Sequence, residues 1–291
     1  LRQADNEEVH SLFKTDLNIL IEGETGVGKS YLAKKMHNFQ ERSGEFIHLN
    51  LSSFPIGLIE SEIFGHAKGA FTGAIKDKVG AIEQAKFGTL FLDEIDSLPL
   101  EIQVKLLLFL DNKIIRPVGA TREIKCETAI IFASGRCLKD LVSKKLMRKD
   151  LFFRIISGHK VTLRPLREDR QKIESICDNF ALENNIRITV ELKKFLVRQS
   201  WPGNIRQLQG HLQKKMVLSK TRILDLNQVD DELLDFDIIS EKHGSVIPFK
   251  DVKSRYFLRA FQLSNEDYNV AAKRMGVSYN TVKREISNQL G

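Results

Sequence analysis

The sequence predicts an α/β protein: a three-layer core around a parallel sheet, followed by a small all-α module at the C-terminus. Three observations carry that prediction. A short β-prone run, LNILI at 17–21, leads directly into a glycine-rich loop and then a helical stretch. A second apolar run, GTLFLDEID at 88–96, ends in acids, as a buried strand does when its carboxyl end faces a ligand crevice. Near the C-terminus, two short helical stretches flank a Gly-Val-Ser turn within a basic segment.

The first run is bounded by charge, as expected of a buried parallel strand. It feeds Gly23-Glu24-Thr25-Gly26-Val27-Gly28-Lys29-Ser30 and then YLAKKMHNF. This is the G-x-x-x-x-G-K-[ST] pattern in its strand–loop–helix setting. The glycines let successive backbone N–H groups turn inward around phosphate oxygens, and the helix N-terminus adds its dipole. Lys29 is expected to reach the β- and γ-phosphates of ATP, and the Ser30 hydroxyl to ligate Mg²⁺. A chance match in a chain of this length is roughly a 1% event on average residue usage.

At the end of the second run, Asp93 is expected to hold Mg²⁺ through water, and Glu94 to orient and activate the attacking water. The bland alternative is that these acids cap the next helix, expected over Leu98 to Leu110. Asp96 and Ser97 are better placed to cap it, directly before Pro99 and the apolar periodicity.

Charge divides the C-terminal part. From 225 to 241 there are seven acids and no Lys or Arg; from 249 to 291 eight Lys or Arg stand against four acids, a balance of 8 − 4 = +4. A solvated charged tail is one reading; an acidic linker before a nucleic-acid-binding module is the other. The apolar pattern supports the second. Phe249, Val252, Tyr256, Leu258, Ala260 and Leu263 fall at helical spacing, and Ala272, Gly276 and Val282 at that of a helix-turn-helix. Gly276 suits a positive-φ turn, and Ser278 an N-cap. The second helix then presents Ser278, Tyr279, Asn280, Thr281, Lys283 and Arg284 to double-stranded DNA. A helical hairpin used for dimerisation remains open beside this.

An apolar content of 42% with 29% charge excludes disordered and membrane-embedded classes. No apolar run approaches the length needed to cross a bilayer. Cys126, Cys137 and Cys177 are odd in number and lack metal-ligand spacing, so reduced thiols and a cytoplasmic location are expected.

One stretch fits neither strand nor helix: GHAKGAFTGA at 65–74, glycine-rich with a lone phenylalanine. With the phosphate loop before it and the Asp-Glu strand after it, the chain resembles the AAA+ domain of sigma-54-dependent transcriptional activators, the bacterial enhancer-binding proteins. The resemblance runs from about Asn18 to Leu226 and again through the C-terminal module. It is carried by ESEIFGHAKGAFTGA (60–74), GTLFLDEI (88–95), RKDLFFRI (148–155), LRPLREDR (163–170) and WPGNIRQL (201–208).

The resemblance implies an AAA+ core over 1–165, a helical lid over 166–228, a linker over 229–248 and a Fis-like helix-turn-helix over 249–291. It also implies residue roles. Asn50 matches the switch asparagine that pairs with the glutamate, here Glu94. Arg148 and Arg154 match arginines offered to a neighbouring subunit's ATP, and Arg206 a lid arginine that contacts nucleotide. Gly69, Ala70, Phe71, Thr72, Gly73 and Ala74 match the sigma-54 contact loop. The implied protein is a homo-oligomer, from dimer to hexameric ring. It hydrolyses ATP to remodel the sigma-54 RNA polymerase holoenzyme from closed to open complex while bound to enhancer DNA.

The chain departs from the family at identifiable points. Ala133-Ser134-Gly135 stands for the usual Ala-Thr-Asn, so the asparagine that helps orient the hydrolytic water is a glycine. Phe87 stands where glycine is usual before Gly88, and Ser30 replaces the usual glutamate. Gly135 keeps a second reading open, a DNA-binding regulator that uses ATP as an assembly switch with little turnover. A third, a DNA-remodelling motor such as a helicase loader, leaves the loop at 65–74 unexplained.

Overall fold

The computed structural model describes residues 18–219, 221–231 and 233 and, in the C-terminal segment, 253, 254, 256–258, 260, 261, 264 and 266–290. Most of the expected linker, and the positions Leu17, Phe249, Val252 and Leu263, lie outside the described residues. The chain divides into two compact units, Leu1–Leu224 and Asp225–Gly291.

The larger unit is built on five strands: β1 (Ile19–Glu22), β2 (Phe46–Asn50), β3 (Thr89–Asp93), β4 (Ala129–Ser134) and β5 (His159–Thr162). All pair in parallel, in the order β2-β3-β4-β1-β5. Parallel strands need helical crossovers, which cover both faces, so their sequences read as continuous apolar runs. Leu20, Leu90, Leu92 and Phe132 bury one face against helices α2 (Ile56–Phe64), α3 (Leu100–Asn112), α4 (Leu138–Ser143) and α5 (Lys149–Ile156). Ile19, Ile21, Phe91, Ile131 and Ala133 bury the other against α1 (Lys29–Phe39) through Leu32, Ala33 and Met36. Three layers result, as the sequence predicts.

Register sets the working edge. Glu22 lies opposite Ser134, and Asn50 opposite Asp93, so β1 to β4 all end along one border of the sheet. The phosphate loop, Asn50, the Asp93-Glu94 pair and Gly135 follow from those ends.

One local expectation fails. Asp96 and Ser97 do not cap the helix after β3; they lie in a 3₁₀ turn, Ile95–Ser97, and the helix starts at Leu100 behind Pro99 with no side-chain cap. Pro99 presets an extended backbone before the helix, which pushes the start beyond the reach of either side chain.

After β5 the unit is mainly helical: α6 (Arg170–Glu183), α7 (Val190–Val197) and α8 (Asn204–Leu218) bury Ile173, Cys177, Leu192, Leu196, Leu208 and Leu212, with Trp201 in the turn before α8. A short parallel pairing of Arg187–Ile188 with Ile223–Leu224 closes it.

In the smaller unit, helices α9 (Tyr268–Met275) and α10 (Tyr279–Leu290) enclose a core of Phe257, Phe261, Ala271, Ala272, Val282 and Ile286. Asp267 caps α9 by accepting from Asn269 N and Val270 N. Gly276 turns the chain with φ 64°, and Ser278 Oγ accepts from Thr281 N at the start of α10.

Candidate nucleotide site and projecting loop

The loop after β1 turns through Gly26 and Gly28, at φ 78° and 105°, into the N-terminus of α1. Lys29 is buried beneath it, and its ammonium donates to Gly23 O at 2.7 Å and Glu24 O at 3.2 Å. Burial pulls Lys29 below its usual pKa, against the opposing pull of Asp93, Asp96 and Glu94; nearby Arg206 lowers it further. A buried cation thus sits under the loop within electrostatic reach of three acids. Gly23 N donates to Ser134 O, tying the loop to the end of β4. Val27 is buried under the loop, while Thr25 is exposed and Ser30 half-buried.

Asp93 faces the same border. Burial pushes its carboxyl up, but the hydrogen bond from His48, the charges of Lys29 and His48, and the Glu94 N–H outweigh it, leaving the group below the usual carboxylate range. His48 Nε2 lies 3.4 Å from Asp93 Oδ2. Glu94 has a left-handed backbone, φ 57° and ψ 46°, strained for a non-glycine residue. Asn50 ends β2 and Glu94 follows β3 on this border, but the Asn50 side-chain oxygen accepts from Ser52 N and Ser52 Oγ at 3.0 and 2.9 Å rather than pairing with Glu94.

Gly135 lies beside Thr25: a Cβ built on it would meet only the Thr25 hydroxyl, at 4.0 Å. Gly135 itself offers no side chain to hydrogen-bond a water. The following Arg136 turns away and donates from Nε to Asp96 Oδ2 at 2.8 Å.

The three arginines have different settings. Arg206 belongs to α8, and its backbone N–H donates to Gly26 O at 3.3 Å, which brings the lid directly onto the phosphate loop. Arg148, at the N-cap of α5, makes a two-pronged pair with Asp150 at 3.0 and 2.6 Å. Arg154 lies 3.0 Å from Asp111 Oδ1 and donates from Nη2 to Leu110 O at 2.8 Å.

Residues 65–79 form a hairpin. Gly65–His66 pairs antiparallel with Lys78–Val79, and the turn closes with Gly69 N to Ala74 O at 2.8 Å and Ala74 N to Phe71 O at 3.0 Å. Gly69, Phe71, Thr72 and Gly73 are exposed, Ala70 is half-buried, and Ala74 is buried beneath the turn. The buried Ala74 side chain is therefore no contact surface in this conformation, unlike its neighbours. Phe71 is not stranded: its ring meets the edge of His66 at a centroid distance of 4.9 Å.

Two residues escaped sequence reasoning although they lie in quoted motifs. Arg167 and Asn204 both bond to Glu24 of the phosphate loop. In α10, Tyr279, Asn280 and Lys283 are exposed, as are Ser278 and Arg284, while Thr281 is half-buried.

A parallel sheet ordered β2-β3-β4-β1-β5, a phosphate loop after β1, an acid pair after β3 and a helical lid define an AAA+ P-loop protein. Comparison with known proteins gives the branch. The chain matches the Sigma-54 interaction domain model over residues 2–160 and an AAA+ ATPase lid domain over 170–244. It therefore belongs to the Sigma-54 interaction domain family. The "Anaerobic nitric oxide reductase transcription regulator NorR" of Vibrio vulnificus (strain YJ016) is 39% identical over 242 residues, 80% of this chain and 47% of that protein. The "DNA-binding transcriptional regulator NtrC" of Azospirillum brasilense is 34% identical over 289 residues, 96% of this chain and 59% of that protein. Among solved structures, NtrX from Brucella abortus in complex with ATP superposes with a TM-score of 0.70 at 25% identity, covering 97% of this chain and 66% of that one. The chain spans about half the length of the curated relatives it matches. Among the described residues, no helix is long and apolar enough to cross a membrane.

Proposed function

We propose that the chain is the ATP-driven part of a sigma-54-dependent transcriptional regulator. The observation that carries this reading is a single border of the sheet. It gathers the phosphate loop, Lys29, Asp93 and Glu94 in a chain that also projects the exposed Gly69–Gly73 turn.

ATP binds with its phosphates against the backbone N–H groups of Gly23 to Ser30, and Lys29 exchanges its carbonyl partners for phosphate oxygens. The donor set fits Mg²⁺: a hydroxyl at Ser30 and, at Asp93, a carboxylate held ionised below its usual range. When bound, the ion neutralises charge on the phosphates. Glu94 takes a proton from water as its oxygen bonds the γ-phosphorus and the bond to ADP breaks. Arg206 contacts the nucleotide from the lid. Arg148 and Arg154 leave Asp150 and Asp111 to reach the ATP of a neighbouring subunit, which makes hydrolysis depend on assembly. Asn50 relays the state of the γ-phosphate through Glu94. Phe71 and Thr72, with Gly69, Ala70 and Gly73, then engage sigma-54 holoenzyme. The C-terminal unit is a helix-turn-helix that holds the ring on double-stranded enhancer DNA through Ser278, Tyr279, Asn280, Thr281, Lys283 and Arg284.

The test is ATP turnover against protein concentration. Specific activity rises as subunits assemble, and Glu94→Ala retains ATP binding while losing turnover by roughly 10²-fold or more. Gly135, with no side chain to orient the hydrolytic water, favours one second reading, ATP as an assembly switch with little turnover. ATP-dependent assembly without measurable hydrolysis would establish it.

A further inference from the structure

A carboxylate inside a phosphate-binding loop opposes its ligand unless the charge is drawn off. Glu24 is that carboxylate, the second residue of the loop. Its two oxygens face the lid side. Arg167 donates from Nη1 to Oε2 at 2.8 Å and from Nη2 to Oε1 at 2.6 Å, the planar two-pronged geometry that makes a guanidinium–carboxylate pair strong. Asn204 Nδ2 adds a third bond to Oε2 at 3.1 Å.

Asn204 also works at its other contacts. The same Nδ2 donates to Thr25 O at 3.0 Å, and its Oδ1 accepts from Leu166 N at 2.7 Å. The residue is fully buried and carries a left-handed backbone at φ 53°, so its place is specified by its surroundings. Trp201, whose Nε1 donates to Leu196 O at 2.8 Å, packs the turn that holds it. A trans peptide holds its C=O and N–H in opposite directions. Drawing the Thr25 carbonyl toward the lid therefore turns the Gly26 N–H the other way.

We propose that Arg167 and Asn204 are positioning residues that prepare the phosphate loop for a nucleoside triphosphate. Arg167 neutralises Glu24 and holds it off the phosphate path, and Asn204 fixes the Thr25–Gly26 peptide. Loop and lid are then one unit, and a lid movement changes nucleotide affinity directly. The inference rests on the nucleotide reading of this site.

The experiment measures equilibrium binding of a fluorescent ADP to the full chain by a double-mutant cycle. Arg167→Ala is expected to weaken binding roughly tenfold, through the freed Glu24 charge and the loosened loop. In a Glu24→Gln background the same substitution is expected to cost less than about twofold. Asn204→Asp keeps the acceptor for Leu166 and the side-chain size but replaces the donor by a second negative charge. It also weakens binding, and Glu24→Gln recovers part of that loss. A purely structural role for Arg167 would give the same loss in both backgrounds and overturn the proposal, as would unchanged affinity in Arg167→Ala or Asn204→Asp. Failure of the unmodified chain to bind the probe at all would instead overturn the nucleotide reading.

Discussion

A Cβ built on Gly26 of the phosphate loop would lie 2.3 Å from the Gly203 carbonyl oxygen, whereas one built on Gly69 or Gly73 of the projecting hairpin would meet nothing within 4 Å. Both loops are glycine-rich and both turn through positive φ. In the first, glycine answers to crowding as well as to backbone conformation, because the lid backbone closes directly over it. In the second, only the conformation asks for glycine, and the space around it is open. The phosphate loop is built into its neighbours, whereas the hairpin turn is open at both of these glycines and packs through Ala70, beside Gly119.

The comparison breaks most readily at Gly26. Gly26→Ala cannot be accommodated without moving Gly203, so nucleotide affinity is expected to fall by roughly 10²-fold, read by equilibrium binding; near-normal affinity would contradict the crowding. At the open loop the expected loss lies in output. Thr72→Ala should lower the number of promoter openings per ATP hydrolysed at least roughly tenfold, read by a permanganate footprint alongside phosphate release. An unchanged ratio would remove Thr72 from the contact.

A third prediction tests the lid's packing independently of either loop. Burial pushes the Cys177 thiol up to about 11 from its ordinary value of 9.0. A raised folded-state value means stability that is complete below pH 9 and lost as pH rises toward 11. Cys177→Ala should remove part of that decline, on the order of 2 kcal/mol, in denaturant titrations across the window. In the native chain at pH 8 only the exposed Cys137 should react with a thiol reagent, and all three cysteines after unfolding. The smallest effects concern backbone alone. Phe87 stands at φ 59° where the family usually has glycine, and half-exposed, so Phe87→Gly should raise stability by about 1 kcal/mol; Gly73→Ala, at φ 101°, should lower it by about as much. Thermal or urea melts decide both, and equal signs would refute the argument.

These particulars mark where the sequence could be read. The phosphate loop and the Asp93-Glu94 strand announce themselves because each packs its chemistry into a few consecutive residues between a strand and a helix. The apolar runs of β1, β3 and β4 likewise state that both faces are covered. The capping role given to Asp96 and Ser97 failed because a 3₁₀ turn and Pro99 intervene, and Arg136, 40 residues away, claims the Asp96 carboxylate. The Glu24 clamp was invisible for the same reason on a longer scale: its partners lie 143 and 180 residues along the chain. The left-handed backbone of Glu94 and Trp201 carries no sequence signal, since neither is a glycine or an asparagine.

The central claim is that nucleotide turnover at one border of the sheet drives the projecting loop. It is tested most directly by open-complex formation on a linear promoter with sigma-54 holoenzyme, this protein and Mg²⁺–ATP. Opening is expected with ATP, and neither with ADP nor with Glu94→Ala. Opening that persists without hydrolysis, or steady hydrolysis that never yields an open complex, would contradict it.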